Sequence, residues 1–483
     1  MSNNDLTRWS RYDALTIFNE VNYQNGLTVA NLPFAEACGG ILTNYKWDLR
    51  QAEDAKQVVS QSSINPENVY FGIDVWAQNR SGFGIPRTTF GKGGTTTGVA
   101  IAKLSEIGLS AGVFAPAWSF EHFPGHGRDV ERTMWEGEAL PDRLECSCGR
   151  ATSRHHPVEG FCMATHAKVF PAGTDSFFYT DFSRAFGTHG EEEKRRLFDG
   201  QPLHAQVGAQ SILPLPLLEA DRDQRSCLRH RLEIRAGQTK LVIEAHNGPT
   251  EENATALQSK CWLPLYKLDM PADGSRRIEV VCRNVMLGAG AMPSLYLKFS
   301  SAEGHQTRQP QELSIHETGE VCTITAQIGV PSDSGELVRL EELGIHLEGF
   351  SGEGTVPVAE LSSISIVPLA YFGVSEASMI ENIRLERRGQ GENEHMRICW
   401  DYKVSHEMRH SGMPYSNTTG IFSHFALNFD GLQIGRAYAV EYLLSESLVK
   451  DLAGKEVEVE IVGIGFDGRA LVRKATMLRI GTG

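Results

Sequence analysis

The sequence predicts an α/β domain followed by all-β domains: the last four βα units of a TIM (β/α)8 barrel, then two β-sandwiches. Three observations predict it. Four near-continuous apolar runs alternate with helix-like segments over the first 125 residues. Their starts near 12, 40, 69 and 110 give one unit per roughly 30–40 residues, the period of that barrel. From about residue 165, short β-rich runs separated by Gly, Asp, Asn and Pro replace the pattern.

The four runs are 12–17, 40–45, 69–76 and 110–116, each apolar enough to be a strand buried on both faces. Asp48 is placed as an N-cap, with Leu49, Ala52, Ala55 and Val59 following at helical spacing. Ala100, Leu104 and Ile107 repeat likewise, and Gly108 stands where a C-cap glycine belongs. A closed barrel needs eight such units, so residues 1–145 are expected to form a half-barrel with an open sheet edge. That edge predicts self-association through the exposed half-barrel. Residues 146–165 read as a linker loop. The β-rich stretch 166–372 reads as a jelly-roll-like sandwich and 378–483 as a fibronectin-III-like one.

Composition narrows the function. The chain has 483 residues, 41% hydrophobic and 22% charged, which is globular usage. Its net charge is −14, with no basic tract, which argues against nucleic acid and anionic membranes as partners. No apolar run reaches membrane-span length, and the first residues lack the apolar core of a signal peptide. Nine scattered cysteines read as reduced thiols of a cytoplasmic protein.

Residues at the C-terminal ends of parallel strands are the natural site in a barrel. Here they are Tyr12 and Asp13, Asn44 and Tyr45 with Trp47, Asp74 with Trp76, and Trp118 with Glu121. Carboxylates among aromatic rings suit carbohydrate, because sugar C–H faces stack on rings and carboxylates bind hydroxyls or move protons. The alternative is that the rings plug the barrel and the carboxylates make structural hydrogen bonds.

Five ordered blocks carry a resemblance. They are Tyr12-Asp13-Ala14, Tyr23-Gln24-Asn25-Gly26-Leu27, Asn44-Tyr45-Lys46-Trp47, Tyr70-Phe71-Gly72-Ile73-Asp74-Val75-Trp76, and Phe114-Ala115-Pro116-Ala117-Trp118-Ser119-Phe120-Glu121. Together they resemble glycoside hydrolase family 85, the cytosolic endo-β-N-acetylglucosaminidases. Phe170 to Gly187 resembles the start of that family's first β-sandwich.

The resemblance implies cleavage of the GlcNAc-β1,4-GlcNAc core of N-linked glycans, with an N-glycan or glycopeptide as substrate and no cofactor. It implies a retaining, substrate-assisted reaction, in which the substrate's own acetamido oxygen attacks the anomeric carbon. The family's Asn-x-Glu pair orients the acetamido group and supplies the general acid. That pair is expected one βα unit before the block at Tyr12, and the matched blocks do not contain it. General-acid catalysis is worth roughly 10²–10⁴-fold, so hydrolysis by this polypeptide is in doubt and a non-catalytic glycan-binding or scaffolding role is the alternative.

The resemblance also assigns roles. Tyr12 matches the tyrosine that contacts the acetamido group, and Trp47 a wall of the −1 sugar site. Asp74, Trp118 and Glu121 match residues lining the cleft. With Asp13, Tyr23, Asn44, Trp76 and Phe120 they make up the expected substrate-binding set. Departures from the family are Arg11 for a Trp, Tyr23 for a Trp, Phe120 for a Tyr, and Ala77-Gln78 for a Gly/Ala-Arg pair. Stacking survives at Tyr23, while Phe120 loses a hydroxyl.

Two further clusters read as bland. Cys146, Cys148, His155, His156 and Cys162 could hold structural zinc, but Cys-x-Cys is not the usual knuckle spacing, so no metal is expected. Gly91-Lys92-Gly93-Gly94 lacks the ending of a phosphate-binding loop.

Overall fold

The computed structural model describes residues 11–75, 97–139, 144, 162–183, 211–217, 228–235, 238–246, 261–284, 293–300, 306–310, 314–318, 321–329, 338–347, 354–372, 379–389, 395–404, 406–409 and 411–481. The chain divides into two compact units: Met1–Lys168 with Pro216–Gln224, and Val169–Leu215 with Arg225–Gly483.

The first unit holds a four-stranded sheet in simple chain order: β1 (Arg11–Tyr12), β2 (Ile41–Leu42), β3 (Val69–Asp74) and β4 (Ser110–Phe114). Every neighbouring pair is parallel, with Tyr12 opposite Leu42, Ile41 opposite Val69, and Asp74 opposite Phe114. Parallel neighbours need crossovers. These include α1 (Leu32–Cys38), α2 (Leu49–Ser60) and α3 (Thr97–Ile107).

The helix signals act as expected. Asp48 accepts from the Gln51 amide, and the Gln51 side chain accepts from the Asp48 amide, a reciprocal capping box that satisfies two orphan donors. Gly108 follows α3 with φ +78°, a left-handed conformation that a glycine adopts without strain. Ala52, Ala55 and Val59 of α2 pack with Ile41, Val69, Phe71 and Ile73 of the sheet and Ala100 and Leu104 of α3 in one core.

The first expected strand is shorter than its apolar run. After Tyr12 the chain turns, with Asp13 buried, and Leu15 then bridges Val21. After β4, the helices α4 (Trp118–His122) and α5 (Gly127–Glu136) pack closely. A Cβ at Gly127 would sit 2.4 Å from the Phe120 Cα, so the contact demands glycine. Trp118, Phe123, Val130, Met134 and Met163 form a second small core with Val75. Met163 thus lies inside this unit, although the sequence places it in a linker.

In the second unit, every pairing between named strands is antiparallel. The strands are β5 (Phe178–Thr180), β6 (Leu228–Arg235), β7 (Gln238–His246), β8 (Cys261–Pro271), β9 (Asp273–Asn284), β10 (Ser294–Ser300), β11 (Gln306–Pro310), β12 (Ser314–Thr318), β13 (Val321–Gly329), β14 (Arg339–Leu347) and β15 (Thr355–Pro368). One sheet runs β12-β13-β9-β15-β7-β6, with β5 also on β15, and another runs β11-β10-β14-β8.

Two more sheets follow: β16 (Met379–Arg388), β17 (His395–Lys403) and β20 (Glu441–Leu443), then β19 (Leu432–Ala437), β18 (Phe422–Phe429), β21 (Glu456–Gly465) and β22 (Ala470–Arg479). Ile398 and Trp400 of the three-stranded sheet share one core with Phe425, Leu427, Val459 and Ile461 of the four-stranded one. Among the described residues, no helix is long and apolar enough to cross a membrane.

One thiol expectation is corrected. Cys261, at the start of β8, is disulfide-bonded, whereas Cys38, Cys162, Cys282, Cys322 and Cys399 are free.

Candidate functional site

The C-terminal ends of β1 and β2 bring Tyr12, Asp13 and Asn44 together. Tyr12 Oη donates to Asn44 Oδ1 at 2.9 Å, and Asn44 Nδ2 donates to Asn25 Oδ1 at 2.8 Å. The Asn44 backbone N–H donates to Asp13 Oδ2 at 3.1 Å. The Tyr23 ring meets Tyr12 edge-on, 5.7 Å between centroids, and is itself 55% exposed. With its proton committed to Asn44, the half-buried Tyr12 hydroxyl presents oxygen lone pairs beside an exposed aromatic ring. That is an apt surface for a sugar substituent bearing an N–H or O–H.

Burial, followed by the neighbouring Tyr45, Asp13 and Tyr23, pushes the Tyr12 phenol up to about 12. It therefore stays neutral and hydrogen-bonding at physiological pH.

Asp13 is fully buried, and burial raises its carboxyl above the ordinary range against the pull of the Asn44, Asn25 and Gly26 backbone amides. It clamps the loop after β1. Asn31 is also buried. Its side chain donates to the carbonyls of Asp13 and Gly26 and accepts from the Thr28 amide, which ties the same loop.

Further along the sheet end, Tyr45 packs across Gly72, where a Cβ would lie 2.9 Å from the ring. The Tyr45 and Phe114 rings are 5.7 Å apart, and Phe114 is 56% exposed. Asp74 stands opposite Phe114 in the register, and burial and then the Asp74 charge raise the Tyr45 phenol.

Two residues of the expected substrate-binding set, Trp47 and Trp118, are buried. Trp47 is fully buried. Its indole N–H donates to the Gly72 carbonyl at 2.7 Å, and its ring meets Phe71 edge-on in the core. It pins the loop after β2 to β3. Trp118 is 1% exposed, stacked on His122 at 4.5 Å and edge-on to Phe123. Helical spacing puts Trp118 and His122 on the inner side of α4 and leaves Phe120 and Glu121 exposed.

Trp76, Cys146, Cys148, His155, His156 and the glycine-rich run at 91–94 lie outside the described residues. Cys162 Sγ donates to the Trp135 carbonyl at 2.7 Å.

Sequence reasoning did not single out Asn25 or Asn31. The signal for Asn25 was its Asn-Gly dipeptide: Asn25 takes φ +54°, a left-handed turn that asparagine tolerates better than most residues.

The family model of glycosyl hydrolase family 85 matches residues 2–190. The chain is 30% identical over 219 residues to cytosolic endo-beta-N-acetylglucosaminidase 2 of Arabidopsis thaliana, covering 45% of this chain and 26% of that one. It is 28% identical over 145 residues to the cytosolic endo-beta-N-acetylglucosaminidase of Gallus gallus, covering 29% of this chain and 18% of that one. The chain thus spans about a quarter or less of the length of the curated relatives it matches. Among solved structures, the glycoside hydrolase domain of Endo-D from Streptococcus pneumoniae R6 superposes with a TM-score of 0.55. That match covers 98% of this chain and 69% of that one at 14% identity, so it speaks for the fold. By these matches, residues 2–190 are similar to glycosyl hydrolase family 85, and parts of the chain are similar to cytosolic endo-beta-N-acetylglucosaminidases of Arabidopsis thaliana and Gallus gallus.

Proposed function

We propose that this chain recognises the GlcNAc-β1,4-GlcNAc core of N-linked glycans at the strand ends of its parallel sheet, as part of an endo-β-N-acetylglucosaminidase. The observation that carries the reading is the bonded set Tyr12, Asn44 and Asn25, with Tyr23 open beside it. Tyr12 and Tyr23 receive the acetamido-sugar, Asn44 fixes the Tyr12 hydroxyl, and Asp74, Phe120 and Glu121 line the approach. Trp47 and Trp118 act from beneath by holding the loops.

Hydrolysis needs a proton donor at the glycosidic oxygen. Asp13 is buried and Glu121 is exposed on α4, and in this reading neither serves as that donor. The family's Asn-x-Glu pair would supply it from another strand end. The proposed reading is therefore glycan recognition by this polypeptide, with turnover dependent on that pair. A non-catalytic glycan-binding protein is the second reading, favoured by the sealed Asp13.

The finer architecture is part of the same proposal: 1–145 as the second half of a TIM barrel, 166–372 as a jelly-roll-like sandwich and 378–483 as a fibronectin-III-like one. The single shared core of the last two sheets supports the final assignment. A cytosolic location follows from the relatives' names.

The test is to incubate the full chain with a high-mannose glycopeptide and follow both retention and release of the glycan by mass spectrometry. Retention without release is expected. Release would place a proton donor within this chain, and Glu121→Gln would then identify or exclude it. Neither retention nor release would refute the glycan reading.

A further inference from the structure

We propose that Cys282 and Cys322 are a modification site, forming a reversible cross-strand disulfide with a low-molecular-weight disulfide such as oxidised glutathione as oxidant. Cys282 on β9 and Cys322 on β13 are direct partners in the antiparallel register. Their sulfurs are 3.0 Å apart, and both residues are buried, at 2% and 7% exposure. Directly opposed antiparallel residues have Cα atoms about 4.5–5.5 Å apart. A disulfide accepts about 4.4–6.8 Å. The bond therefore needs a turn of two side chains and no backbone movement.

The two thiols differ in access. β9 is central, held by β13 on one side and β15 on the other, with Cys282 opposite Leu361. Among the described residues, only β12 lies beyond β13 in the sheet order; it is five residues long, and Glu317 opposes Cys322 in the register. Peeling this outer hairpin exposes Cys322 first. Burial, reinforced by the adjacent Cys322 sulfur, raises the Cys282 thiol, so the folded pair reacts slowly and opening sets the rate.

The chemistry balances. The Cys322 thiolate attacks one sulfur of oxidised glutathione, the S–S bond breaks, and one glutathione leaves as thiolate. The Cys282 thiol gives its proton to solvent and attacks the Cys322 sulfur, releasing the second glutathione. Two protein thiols are oxidised and one glutathione disulfide is reduced to two thiols.

The test uses the full chain, equilibrated with excess oxidised glutathione with and without urea below the unfolding transition, then quenched by alkylation and digested. The expected result is a linked peptide pair containing Cys282 and Cys322, formed at least about tenfold faster in the urea arm and reversed by dithiothreitol. The unfolding midpoint should rise by roughly 5 °C or more on oxidation, because the bond closes a long loop. Cys322→Ser should abolish the link, and Cys399→Ser should leave it intact. Recovery of both cysteines as alkylated thiols in the urea arm would overturn the proposal, as would their linkage to other cysteines or to glutathione alone. The wild-type digest decides this even where a serine variant fails to fold.

Discussion

Tyr12 Oη donates to Asn44 Oδ1 at 2.9 Å, joining the ends of two neighbouring parallel strands. The bond sets both the direction of the Tyr12 proton and the position of its ring against Tyr23. Asn44→Ala removes the acceptor and breaks the link to Asn25. Stability should fall by about 1 kcal/mol, the net worth of such a bond. Affinity for a GlcNAc-terminated N-glycan core should fall about fivefold, as that energy is again lost in positioning. Unfolding midpoints and glycan titrations measure the two effects separately.

Asp13 should matter for folding rather than for proton transfer. Asp13→Ala leaves the Asn44 amide without its acceptor in a buried place, so a loss of roughly 1–3 kcal/mol is expected. Asp13→Asn keeps an oxygen there and should lose less. Burial raises the Asp13 carboxyl, so the native state holds this proton more tightly than the unfolded chain does. Its contribution is therefore fully present below the ordinary aspartate value and is lost as pH rises through the native one. Urea unfolding from pH 3.5 to 7 should show that slope in the wild type and lose it in Asp13→Asn.

Trp47→Ala should cost about 3–5 kcal/mol, as removal of a fully buried tryptophan does. Trp47→Phe should retain part of the packing but leave the Gly72 carbonyl without its indole donor. Thermal unfolding of both variants checks this. A near-neutral Trp47→Ala would mean that the ring is not part of the core.

His424 gives the second unit a pH dependence of opposite sign. Burial, then nearby Arg436, lowers its imidazole to about 4, against a smaller opposing effect of Asp181. Its Nδ1 lies 2.9 Å from the Ser423 hydroxyl. The unfolded chain binds this proton near the ordinary value, so stability is full above about 6.5 and falls as pH drops toward 4. His424→Gln should flatten that fall in the urea midpoint between pH 7 and 4.5.

The parallel sheet was legible because its periodicity, the Asp48 cap and the Gly108 stop agree with one another. The depth of each side chain was not. Trp47, Trp118 and Asp13 have the composition of a sugar site, yet the same residue types fill cores and clamp loops, and sequence spacing does not separate the two uses. Asn31 was invisible as a site residue and Asn25 entered only within a matched block, because their roles depend on contacts across a turn. In the second unit, β8 was hidden by Pro264 and its alternating charges, and β14 by the acidic pair Glu341-Glu342, although both strands bury apolar residues on one face.

The most direct test of the account is calorimetric titration of the full chain with a high-mannose N-glycan bearing its GlcNAc-β1,4-GlcNAc core, beside the Tyr12→Phe and Asn44→Ala variants. The account predicts saturable binding that weakens about fivefold in each variant while both keep the wild-type fold. Absence of binding by the wild type, or equal binding by all three proteins, would contradict it.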